Sequence, residues 1–369
     1  MKTSKLLLMI TAAVVSVTGC SEAGKYEMPE VQFSEGEKAQ IQKLNDNSID
    51  LFNAIKDDEE APVFISPLSM IMDMGQLVNV SMKDYSDLLA FTNSTSVEEM
   101  NNLFAKVMAS TQYKKKGVDF TINNAVFFNS LYQVPAAGKK AVEEYYNSET
   151  FVIDFTESQA VLSEISDWIR KKTKDVLKVD NLEIDKDWRS YVVNALYFKG
   201  AWAKKFESKS TKTEDFAGVT GNRKVPMMHN CGKYNYCEYG GFEAIELPYG
   251  NGDYSMIVMM SKSKDRLSPE IMNYITSSMT MIPLTLGFPK FETETDISEF
   301  PISLVKFDSF RHVAKINVDE EGTEAAAVTV IGDGAIAPNA PRELIFNQPF
   351  YYVITQKTTG IILFVGYYC

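Results

Sequence analysis

Few residues in this chain are equipped to do catalysis. There are two histidines, His229 and His312, and three cysteines beyond the N-terminal segment, Cys231, Cys237 and Cys369. No Gly-x-Ser-x-Gly elbow is present, and that motif is what would expose a nucleophilic serine on a strand-to-helix turn. Ser303-x-x-Lys306 and Ser261-x-x-Lys264 match the spacing of a serine–lysine pair but have no supporting motif. His229-Asn230-Cys231 with Cys237 lacks a fourth ligand and the paired spacing of a zinc site. An odd number of cysteines points to free thiols, with a Cys231–Cys237 bridge as the alternative.

The unusual chemistry lies in Glu320–Pro341, EEGTEAAAVTVIGDGAIAPNAP. Loops of this length inside a compact domain are uncommon and usually functional or disordered. Gly322 can serve as a pivot because it tolerates unusual backbone angles. Beyond it, Thr323, Ala325, Ala327, Thr329 and Ile331 would share one face of a strand, and Glu324, Ala326, Val328 and Val330 the other. The first set is small until its end, as passage over a packed core requires. No proline occurs from Glu320 to Ala337, so every amide could join a ladder, whereas Pro338 and Pro341 bar one further on. The pattern favours insertion of residues 323–335 into a sheet. Alanine also favours helix, so composition by itself leaves an exposed, partly helical loop open.

The flanking elements are well marked. Residues 37–58 place Ile41, Leu44, Ile49, Leu51, Phe52 and Ile55 at a helical period. Ser66-Pro67 opens a second helix, with serine as N-cap and proline in the first turn. Ser96 and Glu99 form a capping box before a third. Residues 118–128 read as a strand, and 139–147 and 157–173 as helices. From Arg189 strands dominate: 189–198, 242–247, 255–260, 280–288, 314–318 and 344–354. Helices first and strands later predict one α+β domain. No internal repeat or linker divides it.

Composition is that of an ordinary globular chain, 45% hydrophobic and 23% charged, with net charge −12. The acidic balance argues against nucleic acid as a partner. Past the N-terminus no apolar stretch is long enough to span a bilayer. At the N-terminus, MKTSK followed by LLLMITAAVV has the charge and apolar core of a targeting segment. It ends in Val17-Thr18-Gly19-Cys20, which resembles a bacterial lipobox. That resemblance implies removal of residues 1–19, lipid on Cys20 and a membrane-anchored protein of the bacterial cell envelope. Ser21 is compatible with outer-membrane sorting, facing either periplasm or exterior. Residues 20–36 then read as a polar tether, leaving 37–369 as the folded domain.

Several fragments carry a wider resemblance. They are Val63-Phe-Ile-Ser-Pro-Leu-Ser-Met70, Asn194-Ala-Leu-Tyr-Phe-Lys-Gly-Ala-Trp-Ala-Lys-Lys-Phe206, Val225-Pro-Met-Met228, Glu246-Leu-Pro-Tyr249, Phe288-Pro-Lys290-Phe291, His312–Thr329 and Phe346-Asn-Gln-Pro-Phe350. In this order and spacing the chain resembles the serpin superfamily over nearly its whole length after the tether. The family implies a large central mixed sheet, two further sheets, about eight or nine helices and an exposed reactive-centre loop, here about 320–342. Departures are Asp175, where the family usually has glycine, a distal loop about two residues longer than common, and an end at Cys369.

The resemblance implies a suicide-type protease inhibitor and not an enzyme, needing no cofactor or metal. A serine or cysteine protease forms an acyl-enzyme on the loop; the hinge side then inserts as a new strand and the protease is trapped in a covalent complex. The inhibitor is expected to be a monomer. The residues matching the hinge are Glu320, Gly322, Thr323, Glu324, Ala325, Ala326, Ala327, Val328 and Thr329. Those matching the polar shutter are Ser66, Ser69, Asn194 and His312, and those matching the breach are Trp202, Lys290 and Glu320. Counting from Gly322 places the cut at Ile336–Ala337, with Ala335–Ile336 and Asn339–Ala340 as alternatives. Apolar residues there suit elastase-like or subtilisin-like targets; a trypsin-like enzyme would need Arg342. The rival reading is a non-inhibitory member that is a plain substrate or a binding protein.

Overall fold

The computed structural model describes residues 31–56, 61–81, 85–111, 117–179, 182–298, 300–302, 304, 310–323 and 342–369. Cys20 with the expected signal segment, the expected hinge residues Glu324 to Thr329, and the expected reactive pair Ile336 and Ala337 lie outside them.

The chain opens with helix α1 (Glu35–Ile55), whose Ser34 N-cap and Glu37 form a reciprocal capping box. The short strand β1 (Val63–Ile65) leads into α2 (Pro67–Val80), capped by Ser66 with proline in its first turn, as the sequence suggests. Then come α3 (Ser86–Phe91), α4 (Val97–Thr111), β2 (Val118–Asn129), α5 (Ala136–Tyr146), β3 (Glu149–Ile153) and α6 (Ser158–Lys172). At α4, Ser96 Oγ accepts the Glu99 N–H, but the Glu99 carboxylate goes to Thr95, so only half of the expected capping box forms. The turn after α6 holds Lys174 and Asp175 at φ +53° and +65°. Aspartate is among the non-glycine residues that tolerate that region.

Strands follow: β4 (Ser190–Ala201), β5 (Lys212–Gly218), β6 (Gly221–Tyr239), β7 (Phe242–Tyr249) and β8 (Tyr254–Ser261). After α7 (Pro269–Ser278) come β9 (Thr280–Pro289), β10 (Phe291–Ile297), β11 (His312–Val318), β12 (Gly322–Thr323), β13 (Arg342–Ile345), β14 (Phe350–Gln356) and β15 (Ile362–Tyr368). The fold is α+β, with seven α-helices and one 3-10 turn among the described residues. The single strand expected over 344–354 is two. The Asn347–Pro349 corner sends β13 to pair in parallel with β9 and β14 antiparallel with β8.

Two sheets are formed. The first runs β10-β11-β12-β4-β2-β3, with only the β2–β3 pair parallel. The second has nine strands, ordered β1-β15-β14-β8-β7-β6-β9-β13 with β5 on β6. The two further sheets expected from sequence are thus joined. The 19-residue β6 pairs with β5 at its start and β7 at its end, and with β9 from Met227 to Tyr236. Strands β8, β14 and β15 are buried at every position. Such continuous apolar runs belong to strands covered on both faces. Helix α2 lies in this core, with Met70, Ile71 and Met72 fully buried.

Candidate functional site: a half-filled gap in the six-stranded sheet

Among the described residues, the two-residue strand β12 is what joins β4 to β11. Gly322 pairs with Ala201, and Thr323 with Gly200 on one side and Val318 on the other. Among the described residues no register joins β4 to β11 beyond Thr323, and cavities lie between the two strands. A cavity of about 300 Å³ is lined by Thr323, Phe198 and Leu196 from one side and by Asn317, Ala314 and His312 from the other. A second, of about 640 Å³, continues between Val192 and Asn194 on β4 and Arg311 to Val313. Facing strand edges without a partner are a template for one more strand.

The entry to the gap is firmly built. Asp319 Oδ1 accepts the N–H groups of Glu321 (2.8 Å) and Gly322 (3.2 Å), an Asx turn that reverses the chain out of β11. Gly322 has φ +154°, and a Cβ there would lie 2.0 Å from the Gly200 carbonyl oxygen. Only glycine fits. Thr323 is 3% exposed and its hydroxyl is 2.6 Å from the Tyr249 hydroxyl. Its side chain therefore points into the core, as the alternation of the loop sequence requires.

Trp202, Lys290 and Glu320 meet beside this turn. The Trp202 indole N–H donates to the Asp319 carbonyl at 2.9 Å, and its ring stacks on Tyr249 at 4.6 Å. Glu320 is 8% exposed. Lys290 Nζ lies 2.7 Å from its Oε2, and Thr211 donates to its Oε1 at 2.8 Å. Burial works against the Glu320 charge, but the hydrogen bonds from Lys290 and Thr211 outweigh it and hold the carboxyl below its ordinary pKa. Lys205 pairs with Glu321 next door.

Ser66, Ser69, Asn194 and His312 are also brought together, across the middle of the gap. His312 Nε2 accepts the Ser66 backbone N–H at 3.1 Å, while Ser66 Oγ donates to the Leu363 carbonyl at 2.7 Å. Ser69 N–H donates to Ser66 Oγ, and Ser69 Oγ donates to Asn194 Oδ1 at 2.6 Å. Both strands bordering the gap are thus held by the first turn of α2. His312 is buried, which pushes its pKa down to about 4, and nearby Asp296 offsets only part of this. The ring is neutral, as an acceptor Nε2 requires.

The polar network extends past the residues recognised in sequence. Asn194 Nδ2 donates to Asn124 Oδ1, which also accepts from Gln76 Nε2 at 3.1 Å. Asn124 Nδ2 donates to the Tyr146 carbonyl, and the Tyr146 hydroxyl to Asn101. Buried polar groups are tolerated when paired in this way.

The remaining candidates stand apart from the gap. Arg342 opens β13, with Nη2 3.0 Å from Glu238 Oε2, a second bond to Glu243, and its guanidinium over the Tyr236 ring. It is anchored in the sheet. His229 Nε2 sits 2.8 Å from Glu214 Oε1. Among the described residues, Cys231, Cys237 and Cys369 are not joined in disulfides.

A family model described as Serpin (serine protease inhibitor) matches residues 42–301 and 300–369. Antitrypsin from Bombyx mori is 27% identical over 353 residues, covering 85% of this chain and 89% of that protein. Neuroserpin from Gallus gallus is 24% identical, covering 88% and 90%. Among solved structures, the thermophilic serpin tengpin in its native state superposes with TM-score 0.79 at 24% identity, covering 92% and 95%. Human thyroxine-binding globulin complexed with thyroxine gives TM-score 0.78 at 20% identity, covering 90% and 98%.

Proposed function

The chain belongs to the serpin family, and on that premise we propose that it is a suicide-type inhibitor of serine or cysteine proteases. The observation that carries this reading is the placement of Gly322–Thr323 at the head of a gap that one further strand would fill. A loop kept only for ligand binding or for passive cleavage has no need of such a seat.

In the mechanism, the protease nucleophile attacks the carbonyl carbon of Ile336, the bond to Ala337 breaks, and the new amino terminus at Ala337 departs with a proton. The freed segment continues the register that β12 begins. Thr323 pairs with Gly200 and Val318, so antiparallel continuation sets Thr329 between Asn194 and His312. Insertion therefore drives a small hydroxyl side chain into the polar network, which exchanges one set of hydrogen bonds for another. The acyl-enzyme is carried along before water reaches the ester.

Ile336 suits the shallow apolar pocket of an elastase-like or subtilisin-like enzyme. The pairing of Arg342 with Glu238 and Glu243 counts against a trypsin-like target. Lipid on Cys20 would hold the inhibitor at the membrane of a bacterial envelope, within reach of proteases arriving there.

The test is to mix the protein with an elastase-like serine protease. The expected result is a covalent complex stable in SDS, and the mass of the released C-terminal fragment identifies the cut bond. Clean cleavage with full protease turnover would favour the non-inhibitory reading.

A further inference from the structure

We propose that the 640 Å³ cavity at the far end of the gap is a binding site for an amphipathic organic amine, with Asp73 taking the ammonium group and the apolar wall taking the body. Its volume is within the usual range for small-molecule sites, roughly 300–1,000 Å³. Leu77, Ile169, Trp188 and Phe310 supply apolar walls. Asp73 projects from α2 one turn past Ser69 and lines the same cavity.

Asp73 is half-buried, and its carboxyl lacks a partner on its inner side. Its Oδ1 is sealed from solvent and has no hydrogen-bond partner. No described cation pairs with it, and burial alone pushes its pKa well above the ordinary carboxylate value. The two arginines on the cavity lining are occupied elsewhere: Arg311 Nε donates to Asp296 at 2.9 Å, and Arg189 lies over the Tyr132 ring at 5.3 Å. Burying a charge is costly unless it is paired. A ligand ammonium on the cavity side of the carboxyl supplies a charge partner that favours its ionised form. A neutral hydrophobe would leave Asp73 unsatisfied.

The cavity lies between β4 and β11, so an amine held there and an added strand exclude each other. This consequence rests on the protease-trapping reading; the binding itself does not. Occupancy would hold the molecule in its unspent form.

The experiment is calorimetric titration of the intact protein near neutral pH with 4-phenylbutylamine and with 4-phenylbutanol, its neutral counterpart. The expected result is at least about tenfold tighter binding of the amine, falling to within about twofold of the alcohol in Asp73→Asn and Asp73→Ala. Equal affinities in the wild type, no binding of either, or a preference that persists in both variants would overturn the proposal. A second arm measures protease trapping with and without saturating amine. A lower trapped fraction is expected, and binding without any change in trapping sinks the exclusion claim. If no complex forms even without amine, the inhibitory reading fails while the binding result stands.

Discussion

His312 Nε2 and the Ser66 backbone N–H meet at 3.1 Å, so the strand bordering the far side of the gap is tied to α2 by a ring that must be neutral. Burial holds the folded pKa at about 4, below the ordinary value of 6.5. Between those values the unfolded chain binds the extra proton. Stability is therefore full above pH 6.5 and declines as pH falls toward 4. The thermal midpoint of the wild type should drop more steeply between pH 7 and 5 than that of His312→Gln. The whole contribution is of order 3 kcal/mol by pH 4. Parallel pH profiles would refute the assignment.

Lys290 and Thr211 are the partners that keep Glu320 charged while buried. Lys290→Met should cost about 1–2 kcal/mol, less than for a fully buried pair because Lys290 is partly in water. A double-mutant cycle with Glu320→Gln should return most of that as coupling. Additive single effects would mean that the pair does not interact in solution.

Thr323 already occupies the head of the gap, with its hydroxyl on Tyr249. Thr323→Arg would put a long charged side chain where 3% of the residue is exposed. The expected outcome is loss of the SDS-stable complex while the loop is still cut at the wild-type bond. Wild-type trapping stoichiometry in this variant would show that the side chain at 323 does not face the core during insertion.

Limited proteolysis within the loop should raise the melting temperature of the nicked protein by more than about 10 °C. A change of 1 kcal/mol moves domains of 150–250 residues only about 2–4 °C, so a shift on that smaller scale would indicate that no strand has been added.

The sequence made the parts of the site legible unevenly. Ser66, Ser69, Asn194 and His312 could be grouped from their motifs, as could Lys290 with Glu320. Asn124, Gln76 and Tyr146 could not. They join the same network across separations of 70 residues for Asn194–Asn124, 48 for Gln76–Asn124 and 22 for Asn124–Tyr146, and nothing local distinguishes them from ordinary polar residues. Strand cores were readable from apolar periodicity, and helix starts from Ser66 and its proline. The long β6 was not, because its burial alternates irregularly over 19 residues and its role depends on which partner each part finds. Nor could any pattern in the chain reveal that β4 and β11 stand apart, since that is a property of pairing between segments more than a hundred residues distant.

The seating of Thr323 opposite Gly200 turns the neighbouring strand into a ruler. Strand β4 extends down to Ser190, which the same antiparallel count matches to position 333. The track thus runs out about three residues short of the proposed cut at Ile336. At roughly 3.3 Å per residue, an acylated enzyme would travel on the order of 40 Å and arrive at the opposite pole of the sheet. Deleting or adding loop residues would move that stopping point in steps of one residue, so the distance a captive is hauled is encoded in chain length alone.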